Sequence, residues 1–212
     1  MLTDPKEIAI ISNAKQKNVR NPKRSRQHFV KIFEDFFYDV KLHGRYLDMG
    51  PGQYDFCEMV RDYGGACVGL DFDRPVIELG IHKGFETIEA NIQNIEKLKI
   101  KNEYDGIFNK FALNAFWFHD NPEKHRKFVD ALSDMIKPKG WAWIAPWNGV
   151  PKKACISEND IQQTLSLQHE FFENHGFSVC RLSNNQSLVY GIHGLVANNV
   201  IYTKNLNWAS HV

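Results

Sequence analysis

Short apolar runs alternate with amphipathic stretches along the chain from Tyr46 onward. The apolar runs predict seven strands, near residues 45–49, 66–71, 85–89, 104–111, 140–146, 177–183 and 194–203, with helices between most of them. This alternation is typical of an α/β domain, in which a doubly wound, mostly parallel seven-stranded sheet carries helices on both faces. The last connection has turn residues and no clear helix, so strands six and seven are expected to pair antiparallel.

The first 44 residues precede this alternation and have the pattern of a helix. Asn21-Pro22 is a helix-start pair, and an apolar face follows it at three- and four-residue spacing, formed by Phe29, Phe33, Phe36, Phe37 and Val40. We therefore expect residues 1–44 to form a helical cap or lid over the ligand edge of the sheet, and residues 45–212 to form the main domain.

Composition narrows the classes of protein that fit. The chain has 212 residues, with 26 Lys and Arg against 25 Asp and Glu, so net charge does not favour nucleic acid as a partner. It contains no apolar run of about 18 residues that could cross a bilayer, and its N-terminus lacks the pattern of a secretory signal. Four cysteines without C-x-x-C spacing indicate neither a disulfide framework nor a zinc site. A cytoplasmic location is expected.

A glycine turn between the first strand and the first helix of this alternation carries the clearest chemical signal. The strand ends at Asp48, and the chain turns through Gly50, Pro51 and Gly52 into the helix. Asp71 ends the next strand, about twenty residues beyond Gly50, which is the spacing at which a second-strand carboxylate meets the ribose of a bound nucleoside. The segment therefore predicts an adenosine-bearing cofactor.

Two carboxylates argue against a dinucleotide as that cofactor. Asp55 stands where the dinucleotide fingerprint has its last glycine, and a carboxylate there opposes the helix N-terminus as a pyrophosphate site. Asp48, at the end of the strand, suits a cofactor with a cationic amino-acid end. S-adenosylmethionine satisfies both conditions.

On these residues the chain resembles the class I S-adenosylmethionine-dependent methyltransferases. Their first motif reads acid-x-Gly-x-Gly-x-Gly, and this chain matches it with Asp48, Gly50 and Gly52 but has Tyr54 in the third glycine position. The resemblance covers residues 45–146 at motif level and extends loosely to 203. It implies an open Rossmann-like sheet with an antiparallel last strand.

The resemblance also implies which residues bind the cofactor. Asp71 would accept hydrogen bonds from the ribose hydroxyls and Phe72 would lie against the adenine, although core packing is an equal alternative for Phe72. Asn91 stands where the family usually has an acid that accepts from the adenine amino group, with the Ile92 amide beside it. The predicted cofactor site also includes Asn109, at the end of the fourth strand.

Transfer of the methyl group to oxygen needs a base, and histidine has the most suitable unperturbed pKa. His119, with Asp120 available to orient it, is the first candidate, and His193 is the second. A surface histidine capping the next helix is the alternative for His119. The amine-methylating signature Asn/Asp-Pro-Pro-Tyr/Phe is absent and no acidic trio suggests magnesium, so O-methylation without a metal is favoured.

Aromatic and basic residues suggest where the acceptor would bind. Phe116 and Trp117 follow the fourth strand and Trp147 follows the fifth, whereas the alternation along the fifth strand favours Trp141 and Trp143 as core residues. Arg24 and Arg26, in a basic stretch that is otherwise a solvated helix face, would contact an anionic acceptor. The predicted function is methyl transfer to a small-molecule or glycan acceptor. N-methylation and a non-catalytic adenosine-binding partner protein are the alternatives, and the oligomeric state stays open.

Overall fold

The structure is a computed structural model that describes residues 3–15, 43–110, 112–113, 117–145, 156–182 and 199–204. Within them lie five α-helices, which are α1 (Pro5–Ser12), α2 (Asp55–Asp62), α3 (Arg74–His82), α4 (Pro122–Met135) and α5 (Glu158–Asn174), and a 3₁₀ helix (Ile92–Leu98). The strands are β1 (Arg45–Met49), β2 (Ala66–Asp71), β3 (Glu86–Glu89), β4 (Tyr104–Lys110), β5 (Ile136–Ala145), β6 (Ser178–Leu182) and β7 (Asn199–Thr203).

The strands form one seven-stranded sheet in the order β3-β2-β1-β4-β5-β7-β6. β1, β2 and β3 pair parallel, β4 pairs parallel with β5, and β7 runs antiparallel to both β5 and β6. The predicted α/β fold class, with its mostly parallel sheet and antiparallel last strand, is confirmed. β5 begins earlier than predicted because the turn at residues 137–140 forms a bulge within it, so that Tyr104 faces Ile136 whereas Gly106 already faces Trp141.

The chain divides into two compact units, Met1–Ile92 and Gln93–Val212. In the first unit β1 and β2 are almost continuously buried, as expected for strands covered on both sides, whereas the edge strand β3 is partly exposed. Helix α1 packs on α3 and buries Ile11. Asp4 caps the start of α1 by accepting a hydrogen bond from the Lys6 amide at 2.8 Å.

In the second unit, Trp141 and Trp143 point into the core from β5, which confirms their predicted place. A polar link also runs through this core, because Gln168 of α5 donates to the Tyr202 hydroxyl at 2.7 Å and lies 3.3 Å from Nε2 of His125. Burial lowers the pKa of His125 to about 4, against a smaller opposing effect of Gln168.

The predicted helix that starts at Asn21-Pro22 lies outside the described residues, so the cap of residues 1–44 stays a prediction apart from α1. No helix in the described part of the chain is long and apolar enough to cross a membrane.

Candidate functional site

The glycine turn after β1 has a backbone that few residues other than glycine adopt. Gly50 and Gly52 have φ values of 77° and 58°, and Tyr54 follows at 68°. The Gly50 amide donates to the Leu70 carbonyl at 2.8 Å, and the Tyr54 amide donates to the Pro51 carbonyl at 2.9 Å. The turn is thus tied to β2 before α2 begins at Asp55, as the sequence predicted.

Asp48 lies beneath this turn and is fully buried. The Cys57 thiol, on α2, lies 3.9 Å from Oδ2 of Asp48 and can donate to it. Burial raises the pKa of Cys57 and of Cys67, so both side chains stay thiols and can serve as weak donors beside the carboxylate. The arrangement places a carboxylate at the carboxyl end of β1, where the sequence expects a positively charged ligand group to approach.

A second carboxylate ends β2. Asp71 is 8% exposed, and its Oδ1 accepts a hydrogen bond from the Asp73 amide at 2.9 Å. Phe72, next to it, is 43% exposed, so core packing is not its role, and the Lys15 ammonium lies 5.8 Å from its ring centroid. Sequence reasoning missed Asp73 and Lys15, because neither belongs to the motif and Lys15 reaches the site only through the docking of α1.

The third predicted part of the cofactor site follows β3. Asn91 is exposed, and Ile92 is buried at the start of the 3₁₀ helix. An exposed asparagine at the end of a parallel strand is accessible to a ligand, as the predicted adenine contact requires. The structure places the predicted cofactor residues of the first unit at strand ends or in segments that directly follow strands, namely Asp48, Gly50, Pro51, Gly52, Asp71, Phe72, Asn91 and Ile92.

In the second unit, the end of β4 is more deeply buried than expected. Asn109 is fully buried, and its side-chain oxygen accepts from the Leu113 amide at 3.2 Å, which gives it a role in shaping the turn after β4. Lys110 is also fully buried, although a lysine at the edge of a sheet is ordinarily solvated. Sequence reasoning missed this burial because a lysine in an apolar run carries no signal of its own.

His119 is half-buried, in the turn before α4. Asp120, the predicted orienting residue, is exposed, and Asp160 lies in the first turn of α5. Hydrogen bonds from the side chain and the backbone of Ser157 hold the pKa of Asp160 below its usual range, and His119 contributes a smaller attraction.

Of the predicted acceptor residues, Trp117 is half-buried beside a core aromatic. Phe118 is 1% exposed and stacks on the His125 ring at 4.7 Å, which removes it from the acceptor side. The remaining predicted site residues lie outside the described residues, namely Phe116, Trp147, His193, Arg24 and Arg26.

One group of possible metal ligands occurs among the described residues. Asp4, Glu7 and His82 bring ligand atoms within 4.8 Å of one another where α1 meets α3. Glu7 also lies 3.6 Å from the Lys83 ammonium, which competes with a cation for the same carboxylate. This group is separate from the glycine turn, and metal independence stays a prediction.

Comparison with known proteins agrees with this geometry. A family model described as a methyltransferase domain matches residues 47–144. The structure is similar to a SAM-dependent methyltransferase from Aquifex aeolicus, with a TM-score of 0.59 and 19% identity over 96% of this chain and 100% of the other. It is also similar to the magnesium protoporphyrin IX methyltransferase of Synechocystis PCC 6803 with bound SAM, with a TM-score of 0.58 and 15% identity over 92% of this chain and 88% of the other. No curated protein sequence matches the chain.

The fold is that of the class I S-adenosylmethionine-dependent methyltransferases. Residues 47–144 match the model of a methyltransferase domain, and a solved structure of similar fold holds SAM, the cofactor that the sequence predicted. The residues present fit that cofactor, because the left-handed glycines permit close approach to the backbone. Two buried carboxylates, Asp48 and Asp71, suit its ammonium and its ribose hydroxyls.

Proposed function

We propose that the protein is an enzyme that transfers the methyl group of S-adenosylmethionine to a small-molecule or glycan acceptor, with oxygen favoured as the accepting atom. The observation that carries the proposal is the arrangement of the first unit. A glycine turn with two left-handed glycines lies between two carboxylates that end neighbouring parallel strands.

The residues of the first unit bind and orient the cofactor. Asp48 faces its positively charged amino-acid end, the Gly50–Gly52 backbone lets it approach the turn, and Asp71 accepts from its ribose hydroxyls. Phe72 offers an exposed ring to the adenine, and Asn91 an amide oxygen to its amino group. When bound, the cofactor supplies a methyl group on a positively charged sulfur, which is already reactive toward a nucleophile.

Little further chemistry is then required from the protein. Holding the donor and acceptor in line and away from water lowers the activation free energy by several kcal/mol, about 7–11 at most. His119 is the candidate base for an acceptor hydroxyl. His193 is the second candidate.

Two alternatives keep the same cofactor site. An N-methyltransferase would need no base for a neutral amine acceptor, so its activity would survive loss of His119. A non-catalytic partner protein would bind the cofactor without turnover. Arg24 and Arg26 favour an anionic acceptor in either enzymatic case.

Calorimetry with S-adenosylhomocysteine and with NAD tests the cofactor. We expect micromolar affinity for S-adenosylhomocysteine, about −8 kcal/mol, and far weaker binding of NAD. Tighter binding of NAD would refute the proposal. Incubation with methyl-labelled S-adenosylmethionine and pooled hydroxylated or amine metabolites then tests transfer, and a protein that binds but never transfers label would support the partner-protein alternative.

Substitution of the candidate base separates the remaining cases. His119→Gln should reduce turnover about 10²-fold or more while leaving cofactor affinity within a factor of two, if His119 acts as a general base. Unchanged turnover with a hydroxyl acceptor would remove His119 from the mechanism. Asp120→Asn tests the predicted orienting residue, and we expect a smaller loss because Asp120 would act only through the imidazole.

A further inference from the structure

The N-terminal segment is fixed to α3 along its whole described length. At its start, Oδ2 of Asp4 lies 3.2 Å from Nε2 of His82. Farther along, the Lys83 ammonium lies 2.6 Å from Glu58 and 3.6 Å from Glu7, so it joins α1 to α2 as well. Ile11 is buried under α1. These contacts at several points hold residues 3–15 in place on the first unit.

The last described residue of this segment, Lys15, lies at the carboxylates that follow β2. The Lys15 amide donates to Oδ2 of Asp73 at 2.7 Å, and the Asp73 amide in turn donates to Oδ1 of Asp71 at 2.9 Å. Asp73 is 1% exposed, so water does not compete for the first of these bonds. A continuous path of hydrogen bonds therefore connects the N-terminal segment with the ribose carboxylate.

The side chain of Asp73 does not make the helix-capping hydrogen bond that is usual at its position. Asp73 is the N-cap residue of α3, a position where an aspartate usually accepts hydrogen bonds from the helix amides. In this structure it makes no such bond, and its carboxylate is directed to the Lys15 amide instead. The orientation of Asp73 is thus set by the N-terminal segment and not by the helix that it begins.

We propose that the docked N-terminal segment, residues 3–15, positions Asp71 for the cofactor ribose through the Lys15 amide and Asp73. Asp73 is a positioning residue, since it holds the turn whose amide fixes one oxygen of Asp71. The inference deepens the proposed function and depends on Asp71 as the ribose acceptor. Preorganisation of a binding group in this way raises affinity because the cost of ordering it is met before the ligand arrives.

The same segment also covers part of the predicted adenine side. The Lys15 ammonium lies 5.8 Å from the centroid of the Phe72 ring, within the range of a cation–π contact. Lys15 therefore makes two separable contacts, one through its backbone amide and one through its side chain. Substitutions that remove only one of them distinguish the two.

The first test compares two variants of Asp73 by calorimetry with S-adenosylhomocysteine. Asp73→Ala removes the acceptor of the Lys15 amide and should weaken binding about fivefold, within the range seen for residues that share one hydrogen-bond network. Asp73→Asn keeps an oxygen acceptor and should restore most of the affinity. An equal loss in both variants would show that the charge of Asp73 matters and would overturn the proposal.

The second test uses Lys15, whose substitution does not touch the turn after β2. Lys15→Pro removes the amide hydrogen but leaves the bonds that end α1, from the Asn13 amide to Ile10 and from the Ala14 amide to Ile11. It should reproduce the loss seen with Asp73→Ala. Lys15→Ala keeps the amide and removes only the ammonium, so its effect should be smaller. This test decides the matter even if Asp73→Ala does not fold.

A double-mutant cycle with Asp71→Ala separates positioning from general destabilisation. If Asp73 acts through Asp71, then Lys15→Pro should weaken binding less than twofold when it is made in the Asp71→Ala background. The same fivefold loss in both backgrounds would overturn the inference while leaving the proposed function intact. If Asp71→Ala alone does not weaken binding, the ribose is held elsewhere and the proposed cofactor site itself is wrong.

Discussion

Tyr54 occupies the third glycine position of the motif, and the structure shows how the chain accommodates it. Its φ of 68° is left-handed, yet its side chain is fully buried and its ring stacks on Phe85 with centroids 5.4 Å apart. Gly69 of β2 and Gly80 of α3 provide the space, because a methyl group at either position would overlap the Tyr54 ring. We call this space the Tyr54 socket. Two glycines elsewhere in the first unit thus compensate for the glycine that the motif lacks.

We predict that Tyr54→Gly destabilises the protein, although it restores the motif. Deleting a buried aromatic side chain costs about 3–5 kcal/mol. Relief of the left-handed backbone strain stabilises the folded protein by about 1–2 kcal/mol. The greater freedom of glycine in the unfolded chain destabilises the folded protein by about 0.5–1 kcal/mol. The net expectation is a loss of about 2–4 kcal/mol in the free energy of unfolding, because the cavity outweighs the backbone strain.

Urea denaturation followed by tryptophan fluorescence measures this loss, with Tyr54→Phe as the matched control. The Tyr54 hydroxyl is buried and has no hydrogen-bond partner among the described residues, so its removal should leave stability unchanged or raise it by about 1 kcal/mol. A Tyr54→Gly protein as stable as the wild type would refute the reasoning. The free energy gained by relieving the backbone strain at residue 54 would then equal the free energy lost with the buried ring.

The socket also predicts a coupling between two substitutions. Gly69→Ala should destabilise the wild type, since the three atoms nearest to the added methyl all belong to Tyr54. In the Tyr54→Gly background the same change should be neutral or stabilising, which gives a coupling of at least about 1 kcal/mol. Additive effects of the two substitutions would show that the Tyr54 ring and the methyl group added at residue 69 do not compete for the same space.

Three further outcomes are expected. Asp71→Ala should weaken S-adenosylhomocysteine binding by about 1.5–3 kcal/mol in calorimetry, because it removes hydrogen bonds to a charged acceptor; an unchanged affinity would exclude Asp71 from the site. Because the pKa of His125 is about 4 in the folded protein, the unfolded chain binds a proton first as pH falls below about 6.5, and stability should drop by about 2 kcal/mol between pH 6.5 and 5. His125→Gln should reduce that slope in urea titrations at the two pH values and leave the part due to His169, whose pKa burial also lowers to about 4. Methyl transfer should survive EDTA, and a loss restored by magnesium would contradict the absence of a metal requirement.

Much of the fold follows from local patterns. Short runs bounded by turns located all seven strands, and the signal was clearest for strands such as β2, because a strand buried on both faces must be apolar along its length. The chemistry at strand ends was also predictable, since Asp48 and Asp71 follow directly from where β1 and β2 stop. The spacing of acid and glycines gave the cofactor without any knowledge of long-range contacts.

Contacts between distant segments were not predictable in the same way. Lys15 meets Asp73 across 58 positions. Gly69 and Gly80 carry no sign in the sequence that they accommodate Tyr54. Each of these pairings depends on how helices dock on strands, which is decided by the packing of whole surfaces.

The sequence by itself determined the order of elements, the sheet and the identity of the cofactor-binding turn, because these depend on periodicity and on residues close together in the chain. Only the tertiary structure decided which side chains support that turn. The Tyr54 socket and the path from Lys15 to Asp71 exist because packed elements bring together groups that the sequence keeps far apart.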